Sequence, residues 1–319
     1  MENSKLPYIS VIITAYNRKE FLLNAIKSAV NQTLDKKIYE IIVITNFEDE
    51  DIDRFINENK IKHILMQGTL GEFLYKGISE AMGEIVSFLD DDDLFTKDKL
   101  QILYEQFMDN NICYYHNSHL IVNDEYHEYD SNMRKSPVFN MSSISVRKSI
   151  LNLDTLKKIN INPDDFMYLS ALDSGKNIIT DNKKLTYYMR HNSISQIETK
   201  NIDKFIEISN KYSQMTMDSF KLFDALFISK DAKNYIKQRI TEVEIREYLF
   251  GNKTKPKNAL NIFEKSDTTF SSKLKHYLAY LLIRIHYNFR YLIIKEMANH
   301  NTHLFDNNDS GVHSNRMPR

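Results

Sequence analysis

Over the first hundred residues, short apolar runs alternate with stretches whose apolar positions recur every three or four residues. Tyr8-Ile9-Ser10-Val11-Ile12-Ile13-Thr14 reads as a strand, and Phe21/Leu22, Ala25/Ile26 and Ala29/Val30 then repeat every four residues, as one face of a helix does. Asn17 with Glu20 three residues later has the form of a capping box at the start of that helix. Glu40 to Thr45 is nearly continuous in apolar residues, which suits a strand of a parallel sheet buried on both faces. The acidic stretch Glu48 to Asp53 leads into a short helix, Ile61 to Met66 is a third strand, and residues 71 to 82 form a helix that Gly83 ends. Glu84 to Leu89 is a fourth strand, and Thr96 caps a helix running to about Met108.

Strands and helices in alternation imply an α/β fold with a mostly parallel sheet and right-handed crossovers. Ligands of such sheets bind beyond the carboxyl ends of the strands. The segments leaving those ends are Thr14 to Arg18, Thr45 to Phe47, Gly68 to Gly71 and Asp90 to Asp93, and they are expected to converge on one crevice. Residues 112 to 200 are mixed, with strands near 112–122, 142–147 and 184–189 and a helix near 164–174. Helical periodicity dominates from about 201. The expected division is an α/β domain over 1–200, a helical C-terminal region over 201–298 and a disordered polar tail over 299–319.

Composition narrows the function. With 319 residues, 42% of them hydrophobic, the chain can bury a core. A net charge of −1 argues against nucleic acid as the main partner. The single cysteine, Cys113, lies in an apolar run, so neither an internal disulfide nor a cysteine-ligated zinc site is expected. The segment Met1 to Pro7 lacks the apolar stretch of a signal peptide, and no run of about 18 uncharged residues suggests a transmembrane helix. A cytoplasmic protein is the expectation.

The strongest chemical signal is Phe88-Leu89-Asp90-Asp91-Asp92-Asp93-Leu94. Adjacent carboxylates repel one another unless a proton or cation neutralises them. Hard oxygen ligands in a short turn at a strand end suit Mg²⁺ or Mn²⁺, held by one or two carboxylates together with substrate phosphates. A solvated acidic loop is the plainer alternative.

Residues 8 to 34, from Tyr8 through Thr14-Ala15-Tyr16-Asn17-Arg18 to Asn31-Gln32-Thr33-Leu34, resemble the opening of family-2 glycosyltransferases, which have the Rossmann-like GT-A fold. Residues 77 to 100 resemble that family's second signature, its Asp-x-Asp motif. The two occur in the family's order and spacing, and the resemblance covers about 1 to 195. It implies an inverting hexosyltransferase that moves a sugar from a UDP- or GDP-sugar to an acceptor hydroxyl on a glycan or lipid-linked carrier. Thr14, Ala15, Tyr16 and Arg18 would line the nucleotide, Asp90 and Asp91 would face the ribose and metal, and Asp92 would be the principal metal ligand. The pair Asp164-Asp165 resembles the acidic pair that supplies the base, with Asp165 the first choice. Tyr187 to Ser195 resembles a Tyr-Arg-x-His segment, which would bring Arg190 to the phosphates and His191 to the diphosphate or metal.

The chain also departs from the pattern. Where the family has Asp-Asp-Gly-Ser after the second strand, this sequence has Thr45-Asn46-Phe47-Glu48, so Thr45 or Asn46 would meet the base without a carboxylate. That leaves room for a non-catalytic member that binds a nucleotide or a partner through an altered site. A nucleotidyltransferase is disfavoured, because no glycine-rich loop follows the first strand. Residues 273 to 298 mix aliphatics and tyrosines with five Lys/Arg against one Glu, a composition suited either to a membrane surface or to a packed helix with a basic outer face.

Overall fold

The computed structural model describes residues 6–122, 140–189, 201–251, 258–263, 270–285 and 292–295. The chain divides into two compact units, one of Met1–His191 with Leu222–Ala232, the other of Asn192–Lys221 with Lys233–Arg319.

The first unit is built on an eight-stranded sheet in the order β3-β2-β1-β4-β7-β6-β8-β5. Its strands are β1 (Ile9–Ala15), β2 (Tyr39–Thr45), β3 (Lys62–Leu65), β4 (Ile85–Asp90), β5 (Leu94–Phe95), β6 (Ile112–Val122), β7 (Ile144–Arg147) and β8 (Asn177–Met189). β3, β2, β1 and β4 run parallel. β7 is antiparallel to β4 and to β6, β6 and β8 are parallel, and β5 is antiparallel to β8. The crossovers are α1 (Leu22–Val30), α2 (Glu50–Glu58) and α3 (Leu70–Glu80), followed by α4 (Lys99–Phe107), α5 (Leu153–Leu156) and α6 (Pro163–Ser174).

The apolar runs of β1 and β2 are explained by helices on both faces. Val11, Ile13 and Val43 join Leu22, Ala25, Ile26, Leu100, Leu103 and Phe107 in one buried cluster. On the other face, a Cβ added at Gly77 of α3 would lie 2.7 Å from Ile12 and 2.9 Å from Ile44, so only glycine lets α3 approach the sheet so closely.

Several elements differ from the sequence reading. Asn17 does not cap α1: it adopts φ 55°, the helix begins beyond Phe21, and no side chain caps it. Asparagine tolerates this left-handed conformation, and here its side chain is engaged by Asn46 instead. The capping box belongs to Thr69 and Glu72 at the start of α3. α3 ends at Glu80. Gly83 serves close approach, since a Cβ there would lie 2.7 Å from the Ser10 nitrogen. Thr96 precedes α4 without capping it, its hydroxyl donating to Asp98. β8 begins at Asn177, well before the apolar stretch, because its polar first half is held by backbone pairing to β6.

In the second unit Phe205 packs edge-on against Phe250 with centroids 5.8 Å apart, and Ile245, Leu249 and Tyr280 form a small buried cluster. Helix α7 (Ile202–Leu226) ends and α8 (Lys230–Leu249) begins within the stretch Leu222–Ala232 of the first unit, and α9 spans Phe270–Ile285. No described helix is long and apolar enough to cross a membrane. Residues 299–319 lie outside the described residues.

Candidate functional site

Three parallel strands end side by side. Thr14 pairs in register with Asp90 on one side and with Ile44 on the other, and Ala15 pairs with Thr45. The first two expected segments and the aspartates therefore do meet at one edge of the sheet.

β4 is buried from Ile85 through Leu89, with Ser87 its one polar residue before Asp90, and the chain turns at Asp90, where the Asp93 amide donates to the Asp90 carbonyl at 3.3 Å. Arg18 reaches into this turn. Its Nε donates to Asp91 Oδ2 at 2.8 Å, its terminal nitrogen meets Asp91 Oδ1, and the same nitrogen lies 2.7 Å from Asp92 Oδ2. Burial opposes the charge on Arg18, but the hydrogen bond to Asp91 and the fields of Asp92 and Asp91 outweigh it and hold the guanidinium above its ordinary pKa.

The carboxylates respond in the opposite sense. Burial, reinforced by Asp92 and Asp91 and opposed by Arg18, pushes Asp90 up to about 8; the charge of Asp164 adds to the rise. Burial also raises Asp91, against the pull of its bond to Arg18. Asp93 is pushed well above the ordinary range by burial and by the charges of Asp92 and Asp90. It is inside the protein, 1% exposed, and its Oδ1 accepts from the Met189 amide at 2.9 Å, which ties the turn to the end of β8.

This turn holds more negative charge than its cations balance, and its donors are hard oxygens. Among the described residues no three His, Cys, Asp or Glu side chains converge as a ready-made metal cage. The arrangement suits a divalent cation that arrives with a diphosphate, since Mg²⁺ in nucleotide sites takes one or two carboxylates and fills its remaining positions with phosphates and water. Asp90 and Asp92 are the residues that would hold it.

The other expected residues are placed as follows. Ala15 is buried, Thr14 is half-buried, and Tyr16 is 53% exposed with its ring 6.0 Å from that of Phe73. Thr45 is buried, its hydroxyl donating to the Phe47 carbonyl and lying 2.8 Å from His63 Nε2. Asn46 is locked to Asn17: its Oδ1 accepts from the Asn17 amide at 2.8 Å and its Nδ2 donates to Asn17 Oδ1 at 2.7 Å. α6 is bracketed by left-handed Asn162 and Gly175, with Pro163 in its first turn, so Asp164 and Asp165 open the helix. Asp165 is 3% exposed, while Asp164 is half-buried and its charge is felt at Asp90. Arg190 and His191 lie outside the described residues.

Sequence reading missed Lys99 and Ser142. Lys99 is fully buried, its Nζ donating to the Ser142 carbonyl and to Thr186 Oγ1, and Ser142 Oγ accepts from the Asp90 amide. A lysine beside Leu100 at the head of a helix reads as solvent-facing. Its burial follows from the 3-10 turn Met141–Ser143 ahead of β7, whose packing against Lys99 the pattern of residues does not give.

Known proteins confirm the reading of the fold. The family model for glycosyl transferase family 2 matches residues 10–227. An uncharacterized glycosyltransferase of Rickettsia conorii is 35% identical over 123 residues, 37% of this chain and 20% of that one. A GalNAc(5)-diNAcBac-PP-undecaprenol beta-1,3-glucosyltransferase of Campylobacter jejuni is 36% identical over 110 residues, 32% of this chain and 35% of that one. The cholesterol galactosyltransferase of Borreliella burgdorferi is 38% identical over 104 residues, 31% and 28% of the two chains. The matched region thus spans between a fifth and about a third of these relatives' length. Among solved structures, Staphylococcus aureus TarS 1–349 in complex with UDP-GlcNAc aligns with a TM-score of 0.51 at 13% identity, covering 94% of this chain and 91% of that one. The mannosyltransferase PcManGT of Pyrobaculum calidifontis, in complex with GDP-Man and Mn²⁺, aligns with a TM-score of 0.52 at 12% identity, covering 95% and 88%. These likenesses establish a GT-A type α/β fold, and with the family model matched over more than half of its length, the chain belongs to glycosyl transferase family 2.

Proposed function

We propose that the protein is a hexosyltransferase that moves a sugar from a nucleoside-diphosphate sugar to an acceptor hydroxyl, with inversion and with a divalent cation. The observation that carries this reading is the meeting of Thr14, Asp90 and Asp92 at the carboxyl ends of parallel strands, in a turn with surplus negative charge. When bound, Mg²⁺ or Mn²⁺ neutralises the charge that grows on the departing diphosphate. Thr14, Ala15 and Tyr16 form the wall against which the nucleoside rests, and Tyr16 offers an exposed ring for the base. Asp165, buried at the head of α6, takes the acceptor's proton, and Asp164 adds its field to the aspartate turn. Thr45 and Asn46 shape this wall through His63 and Asn17. Arg190 would meet the phosphates and His191 the diphosphate or metal.

The test is donor hydrolysis and transfer with UDP-glucose, UDP-GlcNAc and GDP-mannose, each with Mn²⁺, Mg²⁺ or a chelator. Turnover with one donor that the chelator abolishes supports the reading, and no turnover with any donor counts against it. The anomeric configuration of the product, read by NMR, decides inversion.

A second reading is favoured by Arg18, whose guanidinium bridges Asp91 and Asp92. It is a member that binds a nucleotide or a partner without turnover, and it predicts diphosphate binding unaffected by metal.

For the acceptor we propose a lipid-linked hydroxyl, met at the cytoplasmic face of a membrane. The names of the Campylobacter and Borreliella relatives point to lipid acceptors. In the second unit, Leu274, Leu278 and Leu282 recur every fourth residue on α9 and are 36%, 47% and 45% exposed. Residues 273 to 298 carry five Lys/Arg against one Glu, which suits anionic lipid. Flotation with phosphatidylglycerol vesicles should carry the wild type upward and leave the triple variant Leu274→Ser, Leu278→Ser, Leu282→Ser in the protein fraction; equal flotation of the two would discard the contact.

A further inference from the structure

Beneath the aspartate turn runs a chain of buried polar side chains to which the proposed chemistry assigns no task. Lys99, Asn117, Ser142 and Thr186 are each 0% exposed. Lys99 Nζ donates to the Ser142 carbonyl at 2.5 Å and to Thr186 Oγ1 at 3.1 Å, and lies 4.0 Å from the centroid of the Phe95 ring. Thr186 Oγ1 donates in turn to the Ser142 carbonyl at 3.0 Å and accepts from Asn117 Nδ2 at 3.0 Å. The chain ends at the turn itself, where Ser142 Oγ accepts from the Asp90 amide at 2.9 Å. Four elements are joined in this way: α4 through Lys99, β6 through Asn117, β8 through Thr186, and the residues before β7 through Ser142.

Stability alone does not account for such an arrangement. A buried lysine nitrogen is costly to desolvate, and replacing buried ionic or polar groups by apolar ones of similar volume is often neutral or stabilising. A network of buried polar groups does fix geometry, since moving one element strands a buried donor or acceptor of another. Here the group held is the backbone nitrogen of the residue that begins the cation-bearing turn.

We propose that Lys99 and Ser142 are positioning residues: through the Ser142 hydroxyl they fix the Asp90 backbone, and with it the direction in which the Asp90 and Asp92 carboxylates present themselves. The consequence for ligand binding rests on the reading of this turn as a nucleoside-diphosphate site, whereas the fixing of the turn is a property of the ligand-free chain.

Two measurements separate the two. Hydrogen exchange on the ligand-free full chain, comparing Ser142→Ala with wild type, should show amides of residues 88–93 exchanging about tenfold faster and those of β1 unchanged. Calorimetry with Mg²⁺ and UDP, and with Mg²⁺ and GDP, should show the diphosphate that the wild type prefers binding about tenfold more weakly to Ser142→Ala. Lys99→Met is expected to reproduce both effects and Lys99→Arg to restore part of them, while exposed Lys97→Ala changes neither. Should Lys99→Met fail to fold, Ser142→Ala decides, because it removes one oxygen and no charge. Unchanged exchange at residues 88–93 in Ser142→Ala overturns the proposal. Faster exchange in a protein whose wild type binds neither diphosphate sustains the positioning role and removes the nucleotide reading instead.

Discussion

At the scale of single residues, the site is an electrostatic problem left partly unsolved within the chain. Arg18 answers two carboxylates, yet Asp90 is still pushed from 3.8 to about 8 by burial and its neighbours. A group whose pKa is higher folded than unfolded contributes stability that is complete below its ordinary value and is lost as pH climbs through the folded value. The ligand-free protein should therefore lose this contribution progressively between about pH 4 and pH 8. Mg²⁺ with a nucleoside diphosphate replaces the proton, so its thermal shift should grow over the same range; a shift that is flat or shrinks with pH would contradict the assignment. Asp92→Ala should lower kcat/KM about 10²–10³-fold, the order seen when a group that stabilises developing charge is removed. Asp165→Asn should lower kcat about 10²–10⁴-fold with little change in diphosphate affinity, as loss of a general base does. A larger kcat loss in Asp164→Asn would transfer the role to Asp164. The run Asp90 to Asp93 was legible because four charges at the end of an apolar strand are conspicuous. Their division of labour was not, because it depends on partners far along the chain: Asp93 turns inward to the Met189 amide, while Asp91 and Asp92 meet Arg18.

At the scale of elements, the long apolar strands and periodic helices were readable because both faces of β1 and β2 are covered, leaving nearly continuous hydrophobic runs. Short elements were not. β5 is two residues long and exists only through pairing with Thr186 and Tyr187 of β8, so no local pattern marks it. The helix start at Asn17 misled because a capping residue and a left-handed turn residue look alike in sequence. Gly83 likewise resembled a helix stop, but its hydrogen faces the Ser10 backbone, where a Cβ would sit 2.7 Å from the nitrogen. Gly83→Ala should therefore destabilise the protein by about 1–3 kcal/mol, the usual range for overpacking, in chemical denaturation. A change within experimental error would mean that the β1–α3 junction relaxes freely.

At the scale of the whole molecule, the fold class was visible from alternation alone, whereas family membership needed two motifs in order. The family match ends at residue 227, in the middle of the stretch Leu222–Ala232 that belongs to the first compact unit. The helical second unit carries the exposed leucines of α9. The claim on which the account turns is that Asp90 and Asp92 hold a cation against a diphosphate. Its most direct test is a crystal grown with Mn²⁺ and the preferred nucleoside diphosphate, with diffraction collected at the manganese edge. One anomalous peak is expected within bonding distance of an Asp92 carboxylate oxygen and of a phosphate oxygen. A bound nucleotide with no manganese near Asp90 to Asp92, Arg18 still bridging Asp91 and Asp92, would contradict it.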